Sequence, residues 1–217
     1  SMKKFISTTT ISRVPLLLLI LIFCILSCKK ETDKITNETK EPFPQKIKSF
    51  LTQSMLDSLR NAGAVINSGT TPPIVNGIYL MSPDSCIFDN MSPTAGTLYG
   101  DYRFKFSNQD NTADTLTVEQ KLVATGLTHQ LPVFSYISGS GTKFSIFLYR
   151  NVSAMGITVE QYNVLSGTWT AAGIQNLQNS LYIRNKGDDP DNKVAKAGTI
   201  RVFVTGRSGL AVNTPIF

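Results

Sequence analysis

The pentapeptide Tyr102-Arg103-Phe104-Lys105-Phe106 alternates aromatic with basic residues. Successive side chains of a strand point to opposite faces, so the pattern predicts a β-strand with one buried and one wet face. Downstream, residues 133–138 and 143–150 bracket Gly139-Ser140-Gly141 and predict a hairpin. Leu116, Val118 and Leu122 predict a strand between these two regions, although Gln120 falls on the same face. Residues 157–165, 174–184 and 199–205 supply further strands, with Gly- or Asp-rich breaks between them. Upstream, 74–81 is a first strand, followed by a loop rich in Ser, Pro, Asp and Asn. A parallel sheet would need a helix between successive strands, and no helical period separates these. Residues 72–217 are therefore expected to form an all-β domain, either an antiparallel barrel of about eight strands or a β-sandwich.

Ahead of this domain the period changes. Ile47, Phe50, Leu51, Met55, Leu59 and Ala62 recur at helical spacing, and Gly63 is placed to stop the helix. One amphipathic helix is expected over 45–62, within a segment 45–63, followed by a linker at 67–73 (NSGTTPP). Its apolar face is expected to pack on the β domain, with a membrane surface or a partner as alternatives. Residues 28–44 are charged, lack apolar periodicity and close on Pro42-Phe43-Pro44, which predicts a flexible tether.

Residues 1–27 read as a targeting segment. Ser1 precedes the first methionine and reads as a tag residue. Lys3 and Lys4 then lead into the apolar run 15–26 (PLLLLILIFCIL). Twelve residues of helix span about 18 Å at ~1.5 Å each, short of the ~30 Å hydrocarbon core of a bilayer. The run fits a signal peptide rather than a permanent span. Removing Lys3, Lys4 and Arg13 with it lowers the formal charge from +6 to +3, 18 basic residues against 15 acidic. That balance, without clustered Lys/Arg and interleaved aromatics, gives no sign of a nucleic-acid partner.

Ile25-Leu26-Ser27-Cys28 resembles the bacterial lipobox: an aliphatic residue, a tolerant position, a small residue, then cysteine. The resemblance implies a diacylglyceryl group on the Cys28 sulfur, cleavage after Ser27, acylation of the new amino group and attachment to a membrane through this N-terminal lipid. Cys24 does not fit, because bulky Phe23 precedes it. The alternative is an ordinary secretory signal with a coincidental cysteine. The run Lys29-Lys30-Glu31-Thr32-Asp33 resembles charged export signals in lipoproteins of Bacteroidetes-type bacteria. This implies the cell envelope, at the outer membrane, facing either the periplasm or the surface.

Within the domain, Gly77-Ile78-Tyr79 resembles the first-strand Gly-x-Trp signature of lipocalin-like barrels, with Tyr in place of Trp. The later Thr-Asp-Tyr element of those barrels has no counterpart at its place, since Gly100-Asp101-Tyr102 comes too early. Residues 137–148 (ISGSGTKFSIFL) and 165–183 (LSGTWTAAGIQNLQNSLYI) resemble small lipoproteins of Bacteroidetes-type bacteria. These likenesses imply a fold more than a chemistry.

Residues with reactive chemistry are few. His129 is the single histidine, and no lipase-type Gly-x-Ser-x-Gly accompanies it. Cys86 stands alone once Cys24 and Cys28 are assigned to the leader and the lipid, and it reads as a small apolar strand residue. Glu119, Glu160 and Asp101 are the carboxylates that a glycosidase pair would draw on, though strand glutamates usually face water. Asn108, Asp110, Thr112 and Asp114 alternate oxygens as calcium loops do, but lack the turning glycine and closing Glu, and 188–192 (DDPDN) follows no ligand spacing. No catalytic, metal or cofactor site is assigned. Tyr79, Phe104, Phe144 and Trp169 are the candidate pocket residues, able either to line a hollow barrel or to fill its core. Trp169 has a third option, stacking on a sugar from an exposed position. The expected function is non-enzymatic: binding of a small apolar ligand or the surface of an envelope protein, with glycan binding as the alternative and carboxylate-based hydrolysis a more distant one.

The lipid assignment has a direct check. Cys28→Ala is expected to abolish metabolic labelling with a fatty acid and to leave the precursor uncleaved; equal labelling of variant and wild type would overturn it.

Overall fold

The computed structural model describes residues 41–92, 94–130, 135–206 and 208–217. The leader, Cys28 and the tether as far as residue 40 lie outside the described residues, as do 131–134. Two short helices, α1 (Gln45–Lys48) and α2 (Gln53–Asn61), precede the strands. These are β1 (Thr70–Thr71), β2 (Gly77–Met81), β3 (Asp84–Asp89), β4 (Leu98–Tyr99), β5 (Tyr102–Asp110), β6 (Thr115–Leu122) and β7 (Thr128–Gln130). They continue with β8 (Ser135–Ser140), β9 (Lys143–Ala154), β10 (Ile157–Thr170), β11 (Gly173–Lys186), β12 (Ile200–Thr205) and β13 (Leu210–Asn213).

Eight of these strands close an antiparallel barrel. In the order β2, β5, β6, β8, β9, β10, β11 and β13, each pairs with the next, and β13 returns to β2. Ring order follows chain order, an up-and-down meander with no free edge around the ring. The barrel rather than the sandwich is therefore the architecture. Phe104 and Phe106 turn inward opposite Tyr79 and Gly77, and Arg103 and Lys105 turn outward half-exposed, as their alternation requires. The β8–β9 hairpin turns at Gly141-Thr142, one step later than expected, so Gly139 stays paired within β8.

Closure rests on a short seam. β13 pairs Val212 and Asn213 with β2, and Leu210 to Val212 with the first residues of β11. Gly173 makes that approach possible: a Cβ there would lie 2.2 Å from the Ala211 carbonyl oxygen, and its φ of +145° suits only glycine. Beyond a bulge after Gln175, where Asn176 takes φ +53°, β11 leaves β13 and pairs with β12 instead. β12 then carries β3 and β4 as a side sheet. The sequence pattern predicts no strand at β4 or β13, because strands this short show no period, whereas Cys86 does lie on a strand, β3, within the stretch after 81 expected as a loop.

The lower barrel is packed with side chains. Tyr79, Phe104, Phe106, Phe144, Ile146 and Leu165 belong to one buried cluster. Tyr79 folds back beneath Gly77, where a Cβ would meet its hydroxyl at 2.9 Å, and donates to the Val75 carbonyl at 3.0 Å. Val75, itself fully buried, belongs to the same cluster. Gln109 fixes this segment, accepting from Val75 N–H at 2.8 Å and donating to Pro73 O at 2.8 Å.

A second core lies outside the barrel. The expected single helix is two, separated at Ser49 to Thr52, because the Thr52 hydroxyl accepts from Met55 N–H at 3.2 Å and starts α2 afresh. Ala62 and Gly63 (φ +91°) end α2 where expected. Ile47, Leu51, Leu56 and Leu59 pack with Phe43 against Phe147, Val164, Ile200 and Val202. Strand β9 is thus buried on both faces, which explains its unbroken run Phe144-Ser145-Ile146-Phe147-Leu148. Five such side chains contribute about 1.5–3 kcal/mol each, a gross on the order of 10 kcal/mol, comparable to the whole net stability of an ordinary domain. The helices are therefore part of the fold, packed on the domain as their apolar face predicted.

The chain after α2 lies on a row of small hydroxyls. Ser145 accepts from Asn67 N–H and Ser138 donates to Gly69 O, each at 2.8 Å, while Gln178 accepts from Val65 N–H at 2.7 Å. Thr70 and Thr71 then pair in parallel with β8.

Asp84, 4% exposed, carries a carboxyl whose pKa is pushed up to about 7 by burial, with Asp101 adding to the effect. The folded state therefore holds a proton that the unfolded chain releases near pH 4, and stability falls as pH rises from about 4 to 7. Asp84→Asn is expected to flatten this fall and to stabilise the protein at pH 8 by on the order of 2–4 kcal/mol in urea unfolding. Parallel pH profiles for variant and wild type would contradict the assignment.

Candidate functional site

Three of the four expected pocket residues meet in the barrel core. Tyr79, Phe104 and Phe144 are at most 1% exposed, and the partly buried Trp169 packs against their cluster. Phe106 lies 5.6 Å from the Tyr79 ring and 6.4 Å from that of Phe104. The two clefts described below are lined by other residues.

Both clefts lie on the outer wall, where α1 meets β8. The first, about 310 Å³, is lined by Phe50, Tyr136, Tyr149, Tyr162 and Arg184. Phe50 enters it from the turn between α1 and α2. It stacks on Tyr162 at 5.8 Å with the planes 7° apart, and lies 5.8 Å from the Tyr136 ring. Tyr149 and Tyr162 are cross-strand partners in β9 and β10, with ring centroids 5.1 Å apart. Glu160 organises the polar end, accepting from Tyr149 Oη at 2.6 Å and Arg184 Nη1 at 3.0 Å, while that same Nη1 reaches Tyr162 Oη at 3.0 Å. The hydrogen bond to Glu160 raises the Tyr149 pKa, so the phenol stays protonated and Glu160 remains its acceptor.

The second cleft, about 340 Å³, shares Tyr136 as a wall. Its other lining is mostly polar: Lys46, Asn108, Thr115, Thr117 and Ser135, with Leu116 as the apolar member. Lys46 donates to Ala113 O at 2.9 Å and holds its ammonium 5.9 Å from the Tyr136 ring. Ser135 is 2% exposed, and its Oγ has no hydrogen-bond partner among the described residues. A buried hydroxyl without a partner is costly unless something supplies one. The outer wall thus presents ring faces and hydroxyl-lined space on either side of one tyrosine.

The other candidates from the sequence have structural employment. Glu119 pairs with Lys105 at 2.6 Å and Glu160 with Arg184 at 3.0 Å. Asp110 accepts from the N–H groups of Thr112 and Ala113, making a turn of the first acidic loop. In the second, Asp189 accepts from Lys186 Nζ and from Lys193 and Val194 N–H, which hold its pKa at about 2. Among the described residues no three His, Cys, Asp or Glu side chains are grouped as metal ligands. His129 lies on β7, paired through Gln120 with β6. Cys86 is fully buried on β3. Comparisons with family profiles, with curated protein sequences and with solved structures return no match.

The tyrosines of the outer wall are not singled out by the sequence reading, which gives their strands as ranges without assigning faces. A signal was present: Tyr136, Tyr149 and Tyr162 are too aromatic for wet positions on three successive strands. Phe104→Ala is expected to lower stability by about 3–5 kcal/mol in denaturant unfolding, the cost of an emptied core position. A loss below about 1 kcal/mol would instead mark Phe104 as lining open space.

Proposed function

We propose that this chain is a non-enzymatic cell-envelope protein, held at the outer membrane by a lipid on Cys28, whose outer-wall groove binds an oligosaccharide. The observation that carries the reading is the junction at Tyr136 of an aromatic cleft and a hydroxyl-lined one. A sugar ring has an apolar C–H face, which suits the electron-rich faces of Phe50, Tyr149 and Tyr136. Its edge carries hydroxyls that need donors and acceptors, and Thr115, Thr117, Arg184 and Glu160 are placed to supply them. Cleft size also fits, since each recess holds about one small-molecule unit. An apolar ligand inside the barrel has less support, because Tyr79, Phe104 and Phe144 pack on one another.

Calorimetric titration of the whole chain in detergent with neutral and uronic-acid oligosaccharides tests the reading. Saturable binding is expected, weakened about five- to tenfold by Tyr149→Ala or Tyr136→Ala, the loss of roughly 1 kcal/mol per ring contact. Trp169→Ala should leave the affinity unchanged. Absence of saturable binding across the panel, or wild-type affinity in both tyrosine variants, would remove the groove from the function.

A further inference from the structure

The two clefts that meet at Tyr136 differ in how their charge is settled. In the first, the Arg184 guanidinium already has a carboxylate, since Glu160 accepts from its Nη1 at 3.0 Å. Glu160 also accepts from the Tyr149 hydroxyl at 2.6 Å. Both bonds fall on Oε1, which leaves Oε2 as an acceptor. A ligand carboxylate beside Arg184 would meet the Glu160 charge and be opposed by it, whereas a sugar hydroxyl would find an acceptor. The rest of this lining is the rings of Phe50, Tyr136, Tyr149 and Tyr162. The first cleft therefore suits an uncharged sugar ring.

The second cleft holds a cation without a counter-charge. Lys46 is exposed on α1 and makes no ion pair among the described residues. Its ammonium donates once, to the Ala113 carbonyl at 2.9 Å, and lies 5.9 Å from the Tyr136 ring. An ammonium has three N–H donors, so two remain for a ligand. The acidic residues of the adjoining loop do not take them. Asp110 is turned onto the N–H groups of Thr112 and Ala113, and Asp114 feels the Lys46 charge without pairing with it. No carboxylate lines this cleft, whose other polar groups are hydroxyls and the Asn108 amide.

Rings join the two cations in an unbroken path. The Arg184 guanidinium lies 6.0 Å from the Tyr162 ring, Tyr162 is 5.8 Å from Phe50, and Phe50 is 5.8 Å from Tyr136, which carries Lys46 on its far side. One aromatic floor thus ends in a matched cation and in an unmatched one. We infer that the two clefts are successive subsites for a glycan in which a neutral sugar is joined to an acidic one. The neutral ring stacks in the first cleft, and the carboxylate of its neighbour meets Lys46 in the second. This inference rests on the oligosaccharide reading of the groove and adds the charge pattern of the ligand. Selectivity works in both directions: a wholly acidic glycan brings a second charge up to Glu160, and a wholly neutral one leaves Lys46 unmet.

Titration calorimetry of the whole chain in detergent, at low and high salt, tests the pattern with three probes. These are chitotetraose, which is neutral, a hyaluronan tetrasaccharide, in which glucuronate and a neutral sugar alternate, and tetragalacturonate, which is acidic throughout. The alternating probe should bind about five- to tenfold more tightly than either of the others at low salt, and lose that advantage at high salt. Lys46→Gln, which can keep the bond to Ala113, should reduce the alternating probe to the affinity of chitotetraose, and Lys46→Arg should retain the preference. Equal affinity for the neutral and alternating probes, tighter binding of tetragalacturonate, or an equal loss for the neutral and alternating probes in Lys46→Gln would each overturn the inference. Where chitotetraose binds and is weakened by Tyr149→Ala, with no gain for the alternating probe, the charge pattern falls and the groove stands. Where none of the three binds, both fall.

Discussion

The seating of Phe43, Ile47, Leu51, Leu56 and Leu59 on the outer face of β9, β10 and β12 is the contact on which the rest of the structure depends. A small barrel has one interior, and the lower part of this one is already filled by aromatic side chains. Strands as long as β9, β10 and β11 extend beyond what that interior can cover. The helices cover the outer surface of these strands, and the Phe43 and Phe147 rings, 5.5 Å apart and edge to face, mark the centre of the contact. The same docking builds the groove, since Phe50 and Lys46 reach its walls only because α1 is held there. The bidentate pair between Arg60 and Glu41 ties the start of the described chain to the end of α2. Exposed pairs contribute little, so this one serves to fix direction more than stability.

The sequence was informative where one rule governed many residues. Tyr102 to Phe106 showed its two faces, the hairpin around Gly141 showed its turn, and Ile47 to Ala62 showed an apolar stripe. It was uninformative where tertiary contacts decide. β13 is four residues long and exists because Gly173 admits it to the edge of β11. The interruption of the helix at Thr52 depends on a hydroxyl choosing the backbone of the next turn. The aromatic residues divided in the same way: those inside were legible from alternation, whereas Tyr136, Tyr149 and Tyr162 gather only after three strands are laid side by side.

Polar residues buried on both faces of β10 and β11 distinguish two uses of polarity in one sheet. On the outer face Gln178, with Ser145 of the neighbouring β9, hydrogen-bonds the backbone of the segment 63–69, and Ser166 and Ser180 are small buried side chains beside them. On the inner face Gln161, Asn163 and Asn179 touch one another in a line that ends at Arg150. The first set meets backbone that has to be satisfied for the chain to fold. The second ends on the Arg150 guanidinium, which rests on the Gln161 amide.

The seam at β13 also sets an order of assembly. Leu80 and Val212 become neighbours across roughly 130 intervening residues, the most distant pairing of the ring, whereas the hairpins from β8 to β11 join residues close in the chain. Local hairpins and their covering helices can form on an open, curled sheet; the ring itself cannot exist until β13 arrives. A nascent chain would therefore pass through a stage with β2 and the start of β11 as bare edges, both able to template another strand. For such a chain, closure of the ring in a single late step removes both edges at once.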